Sequence, residues 1–374
     1  MLFNVCALYI KIMNNENQTI HKSDDNLTIY GWNEKLNQLK QESIYSTLAH
    51  GRVSIVHRTC YEVISGNGLF QCELTGNMMY GKSDDELPCT GDWVIFQPFD
   101  EHKGIIVDSL PRERTLYRKK SGTVADKQAI ASYVDKAFIV QSLDDNFNVR
   151  RVERFMVQIM EENISSVLVL NKADLDFDRQ SVEEQIKHIS SQIPVFFTSI
   201  HQLETIVRLR KSISEGETVV FVGSSGVGKS SLVNALCEKP VLLTSDISLS
   251  TGKGRHTSTR REMVLMDSSG VLIDTPGVRE FGLAIDDPDS LAEVLEISGY
   301  AASCHFKDCK HINEPGCAVL EAVSSGVLDR KVYESYLKLR REAWHFSTSE
   351  HEKRKRDKSF SKLVDEVKKR KANR

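Results

Sequence analysis

The stretch Gly223-Ser224-Ser225-Gly226-Val227-Gly228-Lys229-Ser230-Ser231 decides the fold. It fits G-x-x-x-x-G-K-[ST], follows the apolar run Thr218 to Val222, and opens a helical pattern from Lys229 to Cys237. The chemistry explains the form. Glycines let successive backbone N–H groups turn inward into a phosphate-sized nest. The helix N-terminus adds partial positive charge. Lys229 is placed for the β- and γ-phosphates, and the Ser230 hydroxyl for Mg²⁺. A merely flexible Gly/Ser turn would not need Lys-Ser in this register.

Working outward, Asn171-Lys172-Ala173-Asp174 follows the apolar strand pattern Val167 to Leu170. This N-K-x-D tetrad is how GTPases read guanine. The Asp174 carboxylate would accept from the ring N1–H and the exocyclic amine. The Lys172 stem would lie over the purine, and Asn171 would orient the loop. Such a site rejects other bases because its polar groups would go unpaired. Thr198-Ser199, after Val195 to Phe197, is the candidate for the loop at the guanine carbonyl, with Ser199 as its residue. Asp274-Thr275-Pro276-Gly277 supplies D-x-x-G. Asp274 would hold Mg²⁺ through water, and the Gly277 N–H would sense the γ-phosphate.

The order of these motifs is informative. Ordinary GTPases place the phosphate loop first and N-K-x-D later. Here 171–174 precedes 223–231, which precedes 274–277. The elements are rotated in sequence, as by circular permutation. Between phosphate loop and D-x-x-G lies Thr251-Gly-Lys-Gly-Arg-His-Thr-Ser-Thr259, where the first switch belongs. Thr257 is the candidate for Mg²⁺ and the γ-phosphate, with Thr259 second. The Gln that orients water directly after D-x-x-G in Ras-like enzymes is replaced by Val278, so His256 is the candidate for that role. Gly226 occupies the position where potassium-using GTPases carry Asn, which argues against that route.

The flanks give the domain plan. Arg52–His57, Cys60–Ile64, Leu69–Leu74, Asp92–Phe96 and Gly104–Asp108 read as five short strands of a small barrel or sandwich; an OB-type barrel fits, and composition does not separate it from an SH3-like one. Residues 14–42 read as a loose lead-in, polar and then weakly helical around Trp32 to Lys40, and 111–132 as a basic, irregular linker. From Lys136 the chain alternates strand and helix, including a helix over Val182–Ser190, which predicts a mostly parallel α/β sheet. Met263–Asp267 and Gly270–Asp274 read as paired strands. From Asp287 the chain is helical.

Over 374 residues the apolar share of 40% and charged share of 27% describe a globular chain of two or three domains. No apolar run approaches a membrane span. Residues 1–13 lack the features of a secretory signal, and Met13 is an alternative start. Net charge is −3, yet 338–374 carries 14 Lys/Arg against 6 Asp/Glu. That basic tail on an acidic body reads either as nucleic-acid contact or as a solvated, charge-rich helix. Of eight cysteines, Cys304, Cys309 and Cys317 fall beside His305 and His311. Cys304-x₄-Cys309-x-His311-x₅-Cys317 is a complete Cys₃His set for one structural Zn²⁺, with no open position for catalysis. His311 is preferred to His305, which adjoins Cys304.

Together, the barrel, N-K-x-D, G-S-S-G-V-G-K-S-S, G-R-H-T-S-T, D-T-P-G-V-R-E-F-G-L and the Cys/His spacing resemble the RsgA (YjeQ/YloQ) family of circularly permuted GTPases, over about residues 50–345. The resemblance implies an OB barrel (43–112), a permuted P-loop GTPase domain (113–288) and a zinc-binding helical domain with basic tail (289–374), while residues 1–42 form an extension that departs from the family pattern. It implies GTP hydrolysis stimulated by the small ribosomal subunit during its late maturation, binding to 16S rRNA, and His256 in hydrolysis. Lys229 and Thr257 join it as catalytic candidates. The expected cofactors are GTP/GDP, Mg²⁺ and one Zn²⁺. The expected state is a cytoplasmic monomer with neither DNA nor membrane as partner. A large-subunit permuted GTPase is disfavoured by the barrel and the Cys₃His set. An RNA-binding factor with vestigial nucleotide binding is disfavoured by intact Lys229, Ser230, Asp274 and Asp174. An ATP-using kinase is disfavoured by the N-K-x-D tetrad.

Overall fold

A computed structural model describes residues 24–83, 85–119, 127–238, 261–267, 270–275, 291–295 and 297–343. Five strands form the barrel: β1 (Ala49–Val56), β2 (Tyr61–Ser65), β3 (Gly68–Leu74), β4 (Trp93–Asp100) and β5 (Lys103–Ser109). They pair in the order β1-β2-β3-β5-β4, and a β1–β4 ladder from Ala49↔Phe96 to Arg52↔Trp93 closes the cylinder. Closure removes the open edges of a small sheet. Alternation drives the inside filling: Val53, Val63, Phe70, Cys72, Phe96 and Ile106 share one buried cluster.

The nucleotide-binding half uses β8 (Lys136–Ser142), β9 (Ser165–Asn171), β10 (Val195–Thr198), β11 (Thr218–Val222), β12 (Glu262–Leu265) and β13 (Val271–Asp274). Their spatial order is β10-β9-β8-β11-β13-β12. All neighbours are parallel except β12–β13. Read cyclically from β11, the strands run β11-β12-β13-β8-β9-β10, the ordinary motif order, so the sheet is intact and only the chain ends have moved. Every residue of β11 is buried, as a central parallel strand covered on both faces requires. Ile55 of β1 pairs with Glu262 of β12, so the barrel and this sheet form one continuous eleven-stranded ladder.

Three local expectations need correction. The helix expected around Trp32 to Lys40 is present as α1 (Glu34–Glu42), capped by the Asn33 side chain accepting from Leu36 N at 3.1 Å, but residues 24–42 are packed rather than loose, and a 3₁₀ turn (Asp24–Tyr30) precedes the helix. Leu27, Trp32 and Leu36 bury against Trp93, Ile95, Leu110 and Tyr133, and this apolar triplet outweighs the polar composition around it. The basic linker contains a hairpin, β6 (Leu116–Lys119) with β7 (Lys127–Ala131), because Leu116 and Ile130 are buried in the main core. The segment 182–190 divides into α4 (Arg179–Gln185) and α5 (Lys187–Ser190).

Arg52 joins the parts. It is 1% exposed. Its guanidinium donates to Gly91 O at 3.0 Å, Tyr30 O at 2.5 Å and Thr218 Oγ1 at 2.9 Å, with Tyr133 O at 3.3 Å. One barrel side chain thereby holds the N-terminal turn, the segment after β7 and the root of β11. Burial lowers its pKa to about 10, so it stays charged at neutral pH.

On the other side, α3 (Val149–Glu161) carries the C-terminal helices α8 (Leu291–Val294), α9 (Ser298–Ala301), α10 (Ala318–Ser324) and a helix described over 330–343. Phe155 and Met156 share a core cluster with Leu291, Val319, Tyr336 and Leu339. Buried Glu153 accepts from Ser335 Oγ and meets His188 Nε2 at 2.9 Å, and Arg154 pairs with Glu342 at 2.7 Å. The basic residues 344–374 lie outside the described residues. Among the described residues, no helix is long and apolar enough to cross a membrane.

Candidate functional site

The phosphate loop leaves the carboxyl end of β11, at the centre of its sheet, and runs into α7 (Lys229–Leu236; α6 is Leu203–Lys211). Gly228, at φ +94°, is the residue before α7, and Gly226 sits at φ +83°. Val227 is fully buried and anchors the loop, while Ser225 and Gly226 are exposed and Ser231 is half-buried. Lys229 is buried, which lowers its pKa, and its Nζ donates to Gly223 O at 2.9 Å and Ser224 O at 2.8 Å. The ammonium thus sits inside the loop it serves.

Ser230 Oγ donates to Asp274 Oδ2 at 2.8 Å. Asp274 Oδ1 is buried with no partner among the described residues, and burial raises the carboxyl pKa. The next residue, Thr275, is pinned by its Oγ1 donating to Phe221 O at 2.5 Å, which locks the end of β13 to β11. A hydroxyl beside a carboxylate with an unpartnered oxygen fits a hard divalent cation. Ser230 and Asp274 are the residues that would serve it. His256, Thr257 and Gly277 lie outside the described residues, as does the rest of the first switch stretch.

The N-K-x-D motif comes to the same place through strand register. β9 and β10 pair with Asn171 opposite Thr198. Thr198 Oγ1 donates to Asn171 Oδ1 at 3.2 Å, and Asn171 Nδ2 donates to Val227 O at 2.9 Å. Asn171 therefore ties the base loop to the phosphate loop directly. Lys172 takes the left-handed conformation at φ +62°, uncommon for a side-chain-bearing residue, and its Nζ meets Asp144 Oδ2 at 2.8 Å. Asp174 is exposed at the mouth, and a hydrogen bond from the Ser199 side chain holds its carboxyl below the usual range. Ser199 is itself buried, with its N–H on Thr205 Oγ1 at 3.0 Å. The structure thus gathers Asn171, Lys172, Asp174, Ser199, the whole loop 223–231 and Asp274.

Sequence reading missed Asp144, Asn146 and Arg151. Arg151 Nη1 donates to Ser224 Oγ at 3.1 Å, and Asn146 Nδ2 reaches the same oxygen at 3.3 Å. The signal was present: polar residues just beyond the carboxyl end of β8, adjacent to the phosphate-loop strand, stand where open α/β sheets bind ligands.

A second centre lies in the C-terminal helices. The ligand atoms of Cys304, Cys309, His311 and Cys317 all fall within 4.8 Å of one another. Cys304 Sγ and Cys317 Sγ are each 3.5 Å from His311 Nδ1 and 3.9 Å apart. A tetrahedron with metal–sulfur bonds of ~2.3 Å has edges of about 3.8 Å, so the set fits zinc. His305 stands outside it, edge-on to Phe306. The turn is shaped by Glu314, whose carboxylate accepts from the backbone N–H groups of Lys310 at 2.8 Å, Ile312 at 2.9 Å and Asn313 at 3.1 Å. Tyr333 Oη donates to His311 O at 2.7 Å and fixes the backbone of the ligand.

A phosphate loop on the central strand, N-K-x-D on the second strand away, and a rotated motif order under a fused barrel define a circularly permuted P-loop GTPase. The chain belongs to the RsgA GTPase family. The family model described as RsgA GTPase matches residues 109–284. The chain is 74% identical over 361 residues to the small ribosomal subunit biogenesis GTPase RsgA 1 of Bacteroides thetaiotaomicron, covering 96% of this chain and 100% of that one. It is 38% identical over 338 residues to the corresponding RsgA of Methanosarcina acetivorans, covering 87% of this chain and 89% of that one. Among solved structures, YjeQ from Thermotoga maritima matches with TM-score 0.60 and 26% identity over 79% of this chain and 98% of that one. The circularly permuted GTPase YloQ matches in fold with TM-score 0.57 at 22% identity, over 81% of this chain and 97% of that one.

Proposed function

We propose that this GTPase acts on the maturing small ribosomal subunit, binding its 16S rRNA, hydrolysing GTP when the subunit stimulates it and leaving as the GDP form. The single observation that carries the reading is the near-complete match to a relative named for small-subunit biogenesis. The site supports the nucleotide part. Asp174 and Ser199 select guanine, the Lys172 stem lies over the purine, Asn171 orients the base loop, and the loop 223–231 with Lys229 holds the phosphates. Bound Mg²⁺ would supply charge neutralisation on the β- and γ-phosphates. Ser230 and Thr257 would bind it directly and Asp274 through water. Gly277 reports the γ-phosphate, and His256 orients the attacking water. Zinc at Cys304, Cys309, His311 and Cys317 would be structural, since all four positions are protein ligands.

The extension, barrel, GTPase and zinc-helical divisions given above complete the proposal, with a cytoplasmic monomer as the working form. Contact with RNA phosphates falls to the basic tail and to residues 112–120. Coupling follows from the continuous ladder between barrel and GTPase sheet and from α3 under the C-terminal helices. Partner contacts on either flank can bias the switch. The test is GTP turnover by the full chain alone, with small subunits and with large subunits, beside His256→Ala. Stimulation by small subunits that the variant loses is expected. Stimulation that survives the substitution moves the water-positioning role elsewhere, and absence of stimulation by either subunit overturns the ribosomal reading.

A further inference from the structure

The turn between β8 and α3 bridges the two ends of the nucleotide site. Asp144 accepts from Lys172 Nζ through Oδ2 at 2.8 Å. Its Oδ1 accepts from Ser142 Oγ at 2.7 Å and Asn146 N at 3.0 Å. Asn146 then faces the phosphate loop, with Nδ2 donating to Ser224 Oγ at 3.3 Å. Arg151 clamps this junction. Its Nη1 donates to Asn146 Oδ1 at 3.1 Å, Asn146 O at 3.2 Å and Ser224 Oγ at 3.1 Å. An unbroken path of hydrogen bonds therefore runs Lys172, Asp144, Asn146, Ser224. Its last member matters because Ser224 O is one of the two carbonyls that hold the Lys229 ammonium. Moving Ser224 moves an acceptor of the phosphate-binding lysine.

We propose that Asn146, clamped by Arg151, is a positioning residue that carries base recognition at Lys172 into the phosphate loop through Ser224. The loop then takes its working shape when one ligand, a guanine nucleoside diphosphate or triphosphate, engages both ends. The inference rests on reading this as a guanine-nucleotide site. Polar networks of this kind couple their members beyond pairwise sums. A shorter route, from Asn171 Nδ2 to Val227 O, is the competitor that the test must separate.

The experiment measures GDP affinity of the full chain for Lys172→Ala, Ser224→Ala and the pair, then repeats the set with Asn146→Ala. The expected result is that the paired loss falls short of the product of the single losses by ~3-fold or more. With Asn146→Ala the single losses should simply multiply. A second readout separates positioning from general loosening. Asn146→Ala should weaken GDP by ~3-fold or more while leaving competition by inorganic pyrophosphate, which lacks the base, nearly unchanged. Arg151→Lys, which keeps a donor, should retain more of the coupling than Arg151→Ala, and unfolding temperatures without nucleotide identify any variant that merely fails to fold. Multiplying losses in the parent background overturn the proposal. Coupling that survives Asn146→Ala also overturns it, assigning the route either to Arg151, which still joins the residue-146 carbonyl to Ser224 Oγ, or to Asn171 and Val227. Equal affinity of the parent protein for GDP and ADP would instead sink the guanine reading beneath it.

Discussion

Substituting Gly228 by alanine perturbs two things that the structure separates. Gly228 sits at φ +94°, where an L side chain costs ~1–2 kcal/mol. Its new Cβ would also lie 2.3 Å from Asn171 Nδ2, far inside van der Waals contact. Asn171 is 3% exposed and cannot turn to solvent. It must surrender its bond to Val227 O or to Thr198, and a buried polar group left unpaired costs ~1–3 kcal/mol. The expected loss is therefore ~2–5 kcal/mol from a typical total of ~5–15. Gly226→Ala is the control, because Gly226 shares the left-handed backbone at φ +83° but has nothing within 4 Å of the added atom. Only the backbone cost applies there. At about 2–4 °C per kcal/mol for a domain of this size, Gly228→Ala lowers the unfolding midpoint by ~4–20 °C and Gly226→Ala by ~2–8 °C. Thermal unfolding with parallel GDP titration makes the measurement. Asn171→Ala combined with Gly228→Ala should cost less than the two singles together, since one removes what the other strikes. Equal midpoints for the two glycine variants, or strict additivity of the pair, would refute the contact argument.

Three further outcomes follow from the same geometry. Arg52→Met should cost ~3–5 kcal/mol in denaturant unfolding, since it leaves several buried acceptors unpaired at ~1–3 kcal/mol each, with Arg52→Lys rescuing little, because one ammonium cannot replace a planar fork that serves four separated carbonyl and hydroxyl acceptors; near-parental stability of the lysine variant would contradict that. Metal analysis should find one zinc per chain, lost on Cys317→Ser with the knuckle 304–317 unfolding, and unchanged zinc content would count against the Cys₃His assignment. Backbone N–H groups, that of Ile312 foremost, hold the Glu314 carboxyl down at about 2. A carboxyl depressed on folding stabilises above its unfolded value near 4.5, and that contribution fades as pH falls from there to about 2. Glu314→Gln should therefore speed amide exchange of Lys310, Ile312 and Asn313 at pH 7, with the difference from the parent shrinking over that window. A difference constant with pH would show that ionisation is irrelevant.

The sequence alone determined the chemistry and its permutation. Loop 223–231, 171–174 and 274–277 are contiguous motifs whose residue types and spacings are dictated by backbone-lined phosphate and base sites, so their presence and order can be read in one dimension. The Cys/His spacing is local for the same reason, since a fourteen-residue turn can close on one ion. Tertiary structure alone decided what depends on strands distant in the chain. Arg52 is an unremarkable barrel residue until Tyr30, Gly91, Tyr133 and Thr218 converge on it. Residues 24–42 look solvated because three apolar side chains are diluted by polar neighbours, and only the Trp93 face shows where they go. Asp144, Asn146 and Arg151 belong to no motif. Their place at the site comes from β8 lying beside β11, a pairing set by burial of both strand faces and invisible to local pattern.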